Sequence, residues 1–137
     1  MRNRFSWLVA LMVWPGLTLA ADLTVQIGPI KVQQGQVLVG IFHSADTFLK
    51  TPLQKNVAKA EGANFTTLFK GLEPGDYAVS VHHDVNDNGK MDANFLGIPS
   101  EPYGFSNDAM GSMGPPSFNQ AKFSVQATGH SLQIKLR

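Results

Sequence analysis

The sequence predicts an all-β domain, a sandwich of about seven short strands carrying one long ordered loop. Short runs alternate apolar and polar residues with a period of two, which is typical of strands with one buried face. Such runs recur roughly every ten residues with turn residues between them, as in β-sandwiches. Residues 84–119 break this rhythm, because they are rich in Asn, Gly, Pro, Ser and Asp and have little apolar periodicity. A loop of that length in a compact domain usually serves a function or is organised by something other than a core.

Each predicted strand is an apolar run of strand length with turn residues near its ends. The strand at residues 23–27 alternates Leu, Val and Ile with polar residues, and the strand at residues 36–42 is rich in β-branched residues. The remaining predicted strands are 56–60, 64–69, 77–81, 121–125 and 131–136. Only residues 45–56 offer a helical segment, and Pro52 limits that helix to one or two turns.

Residues 1–20 have the three-part pattern of a secretory signal peptide. Arg2 and Arg4 form the positive start, residues 5–19 are almost wholly apolar, and small residues precede the expected cleavage after Ala20 or one residue later. A membrane-spanning helix needs about 20 apolar residues, so this shorter, Pro-Gly-interrupted run does not favour an uncleaved anchor. The sequence therefore predicts export to the periplasm or the cell exterior, with residues 21–137 forming one domain.

The charge and cysteine content of the exported part exclude several function classes. The whole chain has 11 Lys and Arg, two of them in the signal peptide, so nine remain against ten Asp and Glu for a net charge of −1. No basic surface is left to favour a nucleic acid or anionic lipid, and we expect no stable membrane insertion after cleavage. The absence of cysteine excludes thiol catalysis, a cysteine-ligated zinc site and lipid attachment at an N-terminal cysteine.

The most informative motif is the acidic loop at residues 84–92. Side-chain oxygens fall at alternate positions on Asp84, Asn86 and Asn88, Gly89 follows, and Asp92 stands at the ninth position. Calcium is bound by about six to eight oxygens at ~2.3–2.6 Å, and alternate positions of a curling loop can point to one centre. Gly89 permits the sharp turn, and the backbone carbonyl of Lys90 can add another oxygen. The spacing therefore predicts a calcium site.

This loop is not an EF-hand, although its first six positions match that pattern. Phe95 occupies the twelfth position, where an EF-hand has a bidentate Glu, and a predicted strand precedes the loop in place of a helix. The closing ligand must then come from outside the loop, with Glu101 as the first candidate and Asn94 as the second. The two carboxylates at ligand positions of the loop, Asp84 and Asp92, predict weak affinity, about 10⁻⁴–10⁻³ M. The alternative is a plain turn, since Asp, Asn and Gly are the usual turn residues.

The neighbouring histidines raise a second hypothesis, a transition-metal site or a metal-dependent enzyme using His82, His83 and Asp84. Consecutive residues of a strand point to opposite faces, so the two histidines do not readily bind one ion. His43 ends an earlier predicted strand and would meet one of them if those strands pair suitably. The simpler alternative is a histidine hydrogen-bonded to the loop. The sequence carries no Gly-x-Ser-x-Gly nucleophile motif, and we assign no catalytic residue.

The rest of the long segment contains methionines and aromatic residues. Met91, Met110 and Met113 are compatible with copper, but methionine more often fills gaps in a core. Exposed Tyr103 and Phe105 beside prolines would mark a recognition surface. We favour the other interpretation, in which both rings fold back and cap the end of the sandwich.

Several segments together resemble a family of small exported bacterial proteins known as domain of unknown function 2141. The segments that carry the resemblance are residues 71–79, 83–92, 97–107, 114–118 and 121–123. The resemblance covers nearly all of residues 21–137 and implies a prealbumin-like (transthyretin-like) member of the immunoglobulin-like sandwiches. It implies no particular activity.

The sequence as a whole predicts an exported, non-enzymatic β-sandwich module stabilised by calcium. The predicted metal ligands are Asp84, Asn86, Asn88, Lys90, Asp92 and Glu101. We expect the ion to order residues 84–119, which would then contact an envelope protein or a glycan. A purely structural envelope component without metal dependence is a further alternative.

Overall fold

The computed structural model describes residues 12–13, 15–16 and 20–137. The predicted signal peptide, residues 1–20, lies largely outside them, so its cleavage and the resulting export stay predictions. In the described part of the chain, no helix is both long enough and apolar enough to cross a membrane.

The described residues form eight strands in two sheets, which confirms the predicted all-β sandwich with one strand more than the expected seven. The strands are β1 (Ala21–Gly28), β2 (Gln36–Phe42), β3 (Gln54–Lys59), β4 (Phe65–Leu72), β5 (Gly75–Asp84), β6 (Tyr103–Phe105), β7 (Phe123–Val125) and β8 (His130–Lys135). The strand that the sequence did not predict is β6, which has only three residues and lies inside the long segment.

Helical structure occurs where the sequence did not predict it. Residues 45–56 form turns followed by β3 rather than the expected short helix. A single helical turn, α1 (Phe118–Ala121), forms instead, and a 3₁₀ turn (Ser106–Asp108) follows β6. The helix α1 begins with a capping box, in which Ser117 accepts a hydrogen bond from the backbone N–H of Gln120 and the Gln120 side chain accepts one from that of Ser117. The prediction for 45–56 was wrong because residues 54–56 pair with β2 as the start of β3.

The two sheets differ in size and in their pairing. In the smaller sheet, β1 lies between β4, which is antiparallel to it, and β8, which is parallel to it. The larger sheet has the order β3-β2-β5-β6, and β7 pairs with the start of β5. All pairs of the larger sheet are antiparallel. β5 has ten residues and pairs with three other strands. It therefore anchors the chain segments that precede and follow it.

The main core lies between the two sheets and follows the period-two pattern of the sequence. Leu23, Val25 and Ile27 of β1 are buried, and the residues between them are more exposed. Val39 of β2 and Val79 of β5 face them from the larger sheet and are fully buried. Burial of these apolar side chains is the dominant favourable term for the sandwich.

Polar contacts join the sheets at both sides. Tyr103 of β6 and Arg137 exchange backbone hydrogen bonds of 3.1 and 3.0 Å. Gly104 permits this close approach, because a Cβ there would lie 2.7 Å from Ile134 of β8. On the other side, the Asn56 side chain of β3 donates 2.7 Å to Thr67 of β4. The position of β6 is thus fixed by both sheets.

A second apolar cluster covers the outer face of the larger sheet. Phe48 is its centre, with ring centroids 5.4 Å from Phe42 and 5.9 Å from Phe118. Phe105 and Ala121 complete the cluster together with Ala78. The buried Ser106 hydroxyl accepts 2.9 Å from the Val79 N–H and donates 2.5 Å to the Ala121 carbonyl.

This cluster corrects one expectation about the long segment. The sequence suggested that residues 84–119 have no core of their own, but Phe105 and Phe118 of that segment are buried in the outer cluster. Their apolar partners, Phe42 and Phe48, come from elsewhere in the chain, so no local periodicity reveals them. Residues 85–102, between β5 and β6, contribute no side chain to either cluster, and they contain most of the candidate metal loop.

Candidate functional site

The loop at residues 84–92 begins where β5 ends and is folded around the buried side chain of Asp84. Its carboxylate oxygens accept 3.2 Å from the Asn88 N–H and 2.8 Å from the Gly89 N–H. Gly89 has φ +75°, the left-handed conformation that the sharp turn was predicted to need. Gly35 packs directly behind the loop, since a Cβ there would overlap the Asp84 carbonyl. The start of the loop is therefore rigidly placed by the sheet.

The side chains of Asn86, Asn88 and Asp92 converge on one side of the loop. The Asn86 amide donates 2.7 Å to the Asp92 carboxylate, and the Asn88 amide donates 2.9 and 3.0 Å to its two oxygens. The amide oxygens are used within the loop, because Asn86 accepts from the Asn88 N–H and Asn88 accepts from the Lys90 N–H. The predicted alternate spacing thus brings these three side chains together.

Glu101 connects the return of the loop to β5. It is 7% exposed, and its carboxylate accepts 3.0 Å from the Val85 N–H and 3.1 Å from the Asp92 N–H. His82 Nε2 lies 2.8 Å from the same carboxylate. The sequence predicted Glu101 as the closing calcium ligand, and that role stays a prediction; the structure places its carboxylate on backbone N–H groups of Val85 and Asp92. Its pairing with His82 was not predicted, because 19 residues separate the two without any shared pattern.

The hydrogen bonds of this loop lower the pKa of two carboxyl groups. Burial acts to raise the pKa of Glu101, but the hydrogen bonds from His82 and from the N–H groups of Asp92 and Val85 outweigh it, so that pKa is lowered. The pKa of Asp92 is lowered by the amides of Asn88 and Asn86. Both groups are thus stabilised in the ionised form that a cation requires.

These shifts predict that the protein loses stability in acid. A carboxyl group whose pKa is lower in the folded than in the unfolded state contributes its full stabilisation at pH values above its unfolded-state pKa, about 4.3 for Glu. This contribution is lost as the pH falls through the folded-state pKa. We expect the melting temperature to be steady near neutral pH and to fall below about pH 4. Thermal melts across this range should give a shallower acid decline for Glu101→Gln than for the unmodified protein. Equal declines would contradict the role of Glu101.

Comparison with known proteins gives a family and no activity. A family model described as "Uncharacterized protein conserved in bacteria (DUF2141)" matches residues 25–133. The chain belongs to this family. No curated protein and no solved structure matches it. The resemblance noted in the sequence is thereby confirmed, and the prealbumin-like detail of the fold stays a prediction.

In this DUF2141 chain, the predicted ligands fall into two groups. Asp84, Asn86, Asn88 and Asp92 share the loop, and Glu101 binds the backbone behind them. The other candidate, Asn94, caps its own turn by accepting from the N–H groups of residues 96 and 98. Within residues 20–137, no three His, Cys, Asp or Glu side chains converge as a metal site. A calcium site here depends on the Asn and backbone oxygens as well.

The two adjacent histidines of the DUF2141 chain lie on opposite faces of β5. His82 faces outward and contacts Glu101, whereas His83 is fully buried and its Nε2 lies 2.7 Å from the Gln34 carbonyl. His83 Nδ1 is buried without a hydrogen-bond partner. The expected meeting with His43 was wrong, since β2 and β5 are antiparallel and pair Phe42 with Ala78 at the opposite end.

The remaining candidates of the long segment line a groove beside the loop. Phe105 is buried as expected for a capping ring, and Tyr103 is half-buried at the groove wall. Met91, Met110 and Met113 also line this groove. These three methionines of the DUF2141 chain therefore belong to an exposed apolar surface and not to the cores.

Proposed function

We propose that this chain is an exported, non-enzymatic binding module in which the loop at residues 84–92 binds calcium. The convergence of Asn86, Asn88 and Asp92 carries this proposal. The ion holds the loop and the groove beside it in one arrangement. That face then contacts a partner in the cell envelope, either a protein or a glycan.

The donor set fits a hard cation that prefers oxygen. A half-turn, a rotation by about 180° of the side-chain amides of Asn86 and Asn88, exchanges the positions of their oxygen and nitrogen atoms. The amide oxygens then face the Asp92 carboxylate. Three oxygen-bearing side chains so close together repel one another unless a cation lies among them. The half-turn gives up the three amide hydrogen bonds to Asp92 and the two accepted from the Asn88 and Lys90 N–H groups. This cost supports weak affinity, in the ~10⁻⁴–10⁻³ M range of extracellular modules.

Asp84 and Glu101 have different roles in this proposal. Each Asp84 oxygen accepts one loop N–H, and a carboxylate has about four acceptor positions, so capacity remains for an ion. Glu101 already accepts from three donors, so we assign it to holding the backbone of Val85 and Asp92 in place. The carbonyl of Lys90 is the proposed backbone ligand.

The alternative function, a transition-metal protein or a metal-dependent enzyme using His82, His83 and Asp84, has weaker support. His83 points into the core between the sheets, whereas His82 points away from it. One ion does not reach both rings without rearrangement of β5. This alternative expects zinc or copper to remain bound through purification, which elemental analysis of untagged protein measures.

Calcium is expected to raise the melting temperature. At about 10 mM calcium and a Kd of about 10⁻⁴ M, binding to the folded state stabilises it by about 2.7 kcal/mol. For a domain of this size that corresponds to a shift on the order of 10 °C. Thermal melts in calcium and in chelator measure the shift, with magnesium as the comparison ion.

Two variants of the same loop make the test specific. Asp92→Asn removes a carboxylate at the convergence point, and we expect it to lose the calcium response. Asp87→Asn removes an equal charge from an exposed position of the same loop that is not a proposed ligand, and it should keep the response. Equal calcium shifts in the two variants, or no shift in the unmodified protein, would rule out the proposed site.

A further inference from the structure

The groove beside the loop has the size and lining of a small-molecule site. Its volume is about 680 Å³, and its wall includes Leu96, Ile98, Met110, Met113 and Tyr103. Several of these side chains are strongly exposed, with Ile98 at 56% and Leu96 at 68%. Ligand sites are typically concave, about 300–1,000 Å³ and mostly apolar, with a few placed polar groups. An exposed apolar surface of this kind on a soluble domain usually marks a binding site.

The groove also carries a few polar groups, among them the imidazole of His82, whose side chain is 17% exposed. Glu101 needs a donor, so in the neutral ring the proton lies on Nε2, and Nδ1 is left as an acceptor. No second hydrogen bond of this ring occurs within residues 20–137. A ligand that donates a hydrogen bond to Nδ1 would complete its pairing in a mostly apolar site.

The lining of the groove limits the ligand further. Among the described residues it includes no Lys, Arg, Asp or Glu, so an ionic head group would lose its hydration there without a partner of opposite charge. The flexible methionine side chains adapt to varied apolar shapes, so the wall does not demand one rigid outline.

We infer that this groove binds an uncharged amphiphile, a hydrocarbon chain or aromatic body whose single polar group donates a hydrogen bond to His82. The inference goes beyond the proposed function, which concerns the calcium loop and an envelope partner, and it does not require calcium. It assigns the apolar face to a small molecule in preference to a glycan, whose many hydroxyl groups would lack partners among these side chains.

N-phenyl-1-naphthylamine is a suitable probe, because it is uncharged, apolar and has one N–H donor, and its fluorescence rises in apolar sites. We expect saturable binding by the full-length mature protein. Ile98→Glu places a charge in the groove wall and should raise the Kd of the probe about tenfold or more. Leu68→Glu is the matched control, because Leu68 is similarly exposed, at 42%, but lies on β4 away from the groove. Both variants change surface residues, and thermal melts verify their folding.

Three competitors of equal chain length test the polar part of the inference. Decan-1-ol should displace the probe about fivefold more effectively than decyl methyl ether, which lacks the donor. It should also displace the probe more effectively than decanoate, which carries a negative charge. Equal displacement by the alcohol and the ether, or preference for decanoate, would overturn the assigned ligand chemistry.

The titration is run in calcium and in chelator to separate the two proposals. Saturable binding lost in Ile98→Glu and kept in Leu68→Glu supports the groove, even if calcium leaves the melting temperature unchanged. A calcium-dependent melt with no saturable probe binding supports the metal loop and overturns the groove. Sedimentation tests the remaining outcome. If the protein is a dimer that excludes the probe and that Ile98→Glu dissociates, this face binds a second copy of the chain, and the inference is overturned.

Discussion

Replacing Glu101 by Ala is expected to lower the free energy of unfolding by about 3 kcal/mol. The carboxylate is nearly buried and accepts from the Val85 N–H, the Asp92 N–H and His82. Hydrogen bonds to charged groups contribute about 1.5–3 kcal/mol each, and water replaces part of what is lost. The two N–H groups lie near opposite ends of the loop at residues 84–92, so their release should free the loop as a unit.

Chemical denaturation of the Glu101→Ala variant measures this loss, and Glu61→Ala is the matched control because Glu61 is exposed. Hydrogen exchange gives a local measurement that a general loss of stability does not mimic. The amides of Val85 and Asp92 should lose protection in Glu101→Ala more than those in β1. Unchanged protection at both amides would show that Glu101 does not hold the loop.

Replacing Phe48 by Ala is expected to cost about 3–5 kcal/mol, the usual range for a buried Phe. Phe48 contacts the rings of Phe42, Phe105 and Phe118. It therefore connects the turn after β2 to the end of β6 and to α1. Loss of this ring leaves a cavity at the centre of the outer cluster. We expect the 3₁₀ turn and α1 to detach from the sheet before the main core unfolds.

Phe95→Ala is a direct control for this substitution, since the Phe95 side chain is 95% exposed and its loss should change stability little. Limited proteolysis should cut the Phe48→Ala protein within residues 105–121 first. A Phe48→Ala variant as stable and as protease-resistant as Phe95→Ala would mean that the outer cluster does not hold this segment.

The fold was largely predictable, because most strands have a buried face that imposes the period-two pattern. The strand β6 was missed because three residues with a central glycine have no period to detect. The outer cluster was missed for a different reason. Phe48 and Phe118 are ordinary isolated aromatics in the sequence, and only the tertiary fold brings them together.

The candidate site was predictable where its residues are neighbours in sequence. The alternate spacing of Asp84, Asn86 and Asn88 identified the loop, and the need for a closing calcium ligand led to Glu101, whose role as a ligand stays a prediction. Sequence alone did not reveal that Glu101 accepts from backbone N–H groups, since those groups carry no sequence signal. The groove was equally hidden, because its wall combines residues from separate loops and from β5.

The parallel pairing of β1 with β8 determines when folding of this domain can be completed. β1 is the first strand of the domain and the central strand of the smaller sheet, and β8 is the last strand along the chain. The contact between Gln26 and Gln133, at 3.0 Å, joins positions 107 residues apart. Pairings of such separation form slowly, because a long loop must close before the contacts stabilise it. One edge of β1 thus stays open until the last strand arrives, so this sheet is completed only after synthesis of the chain has passed residue 135.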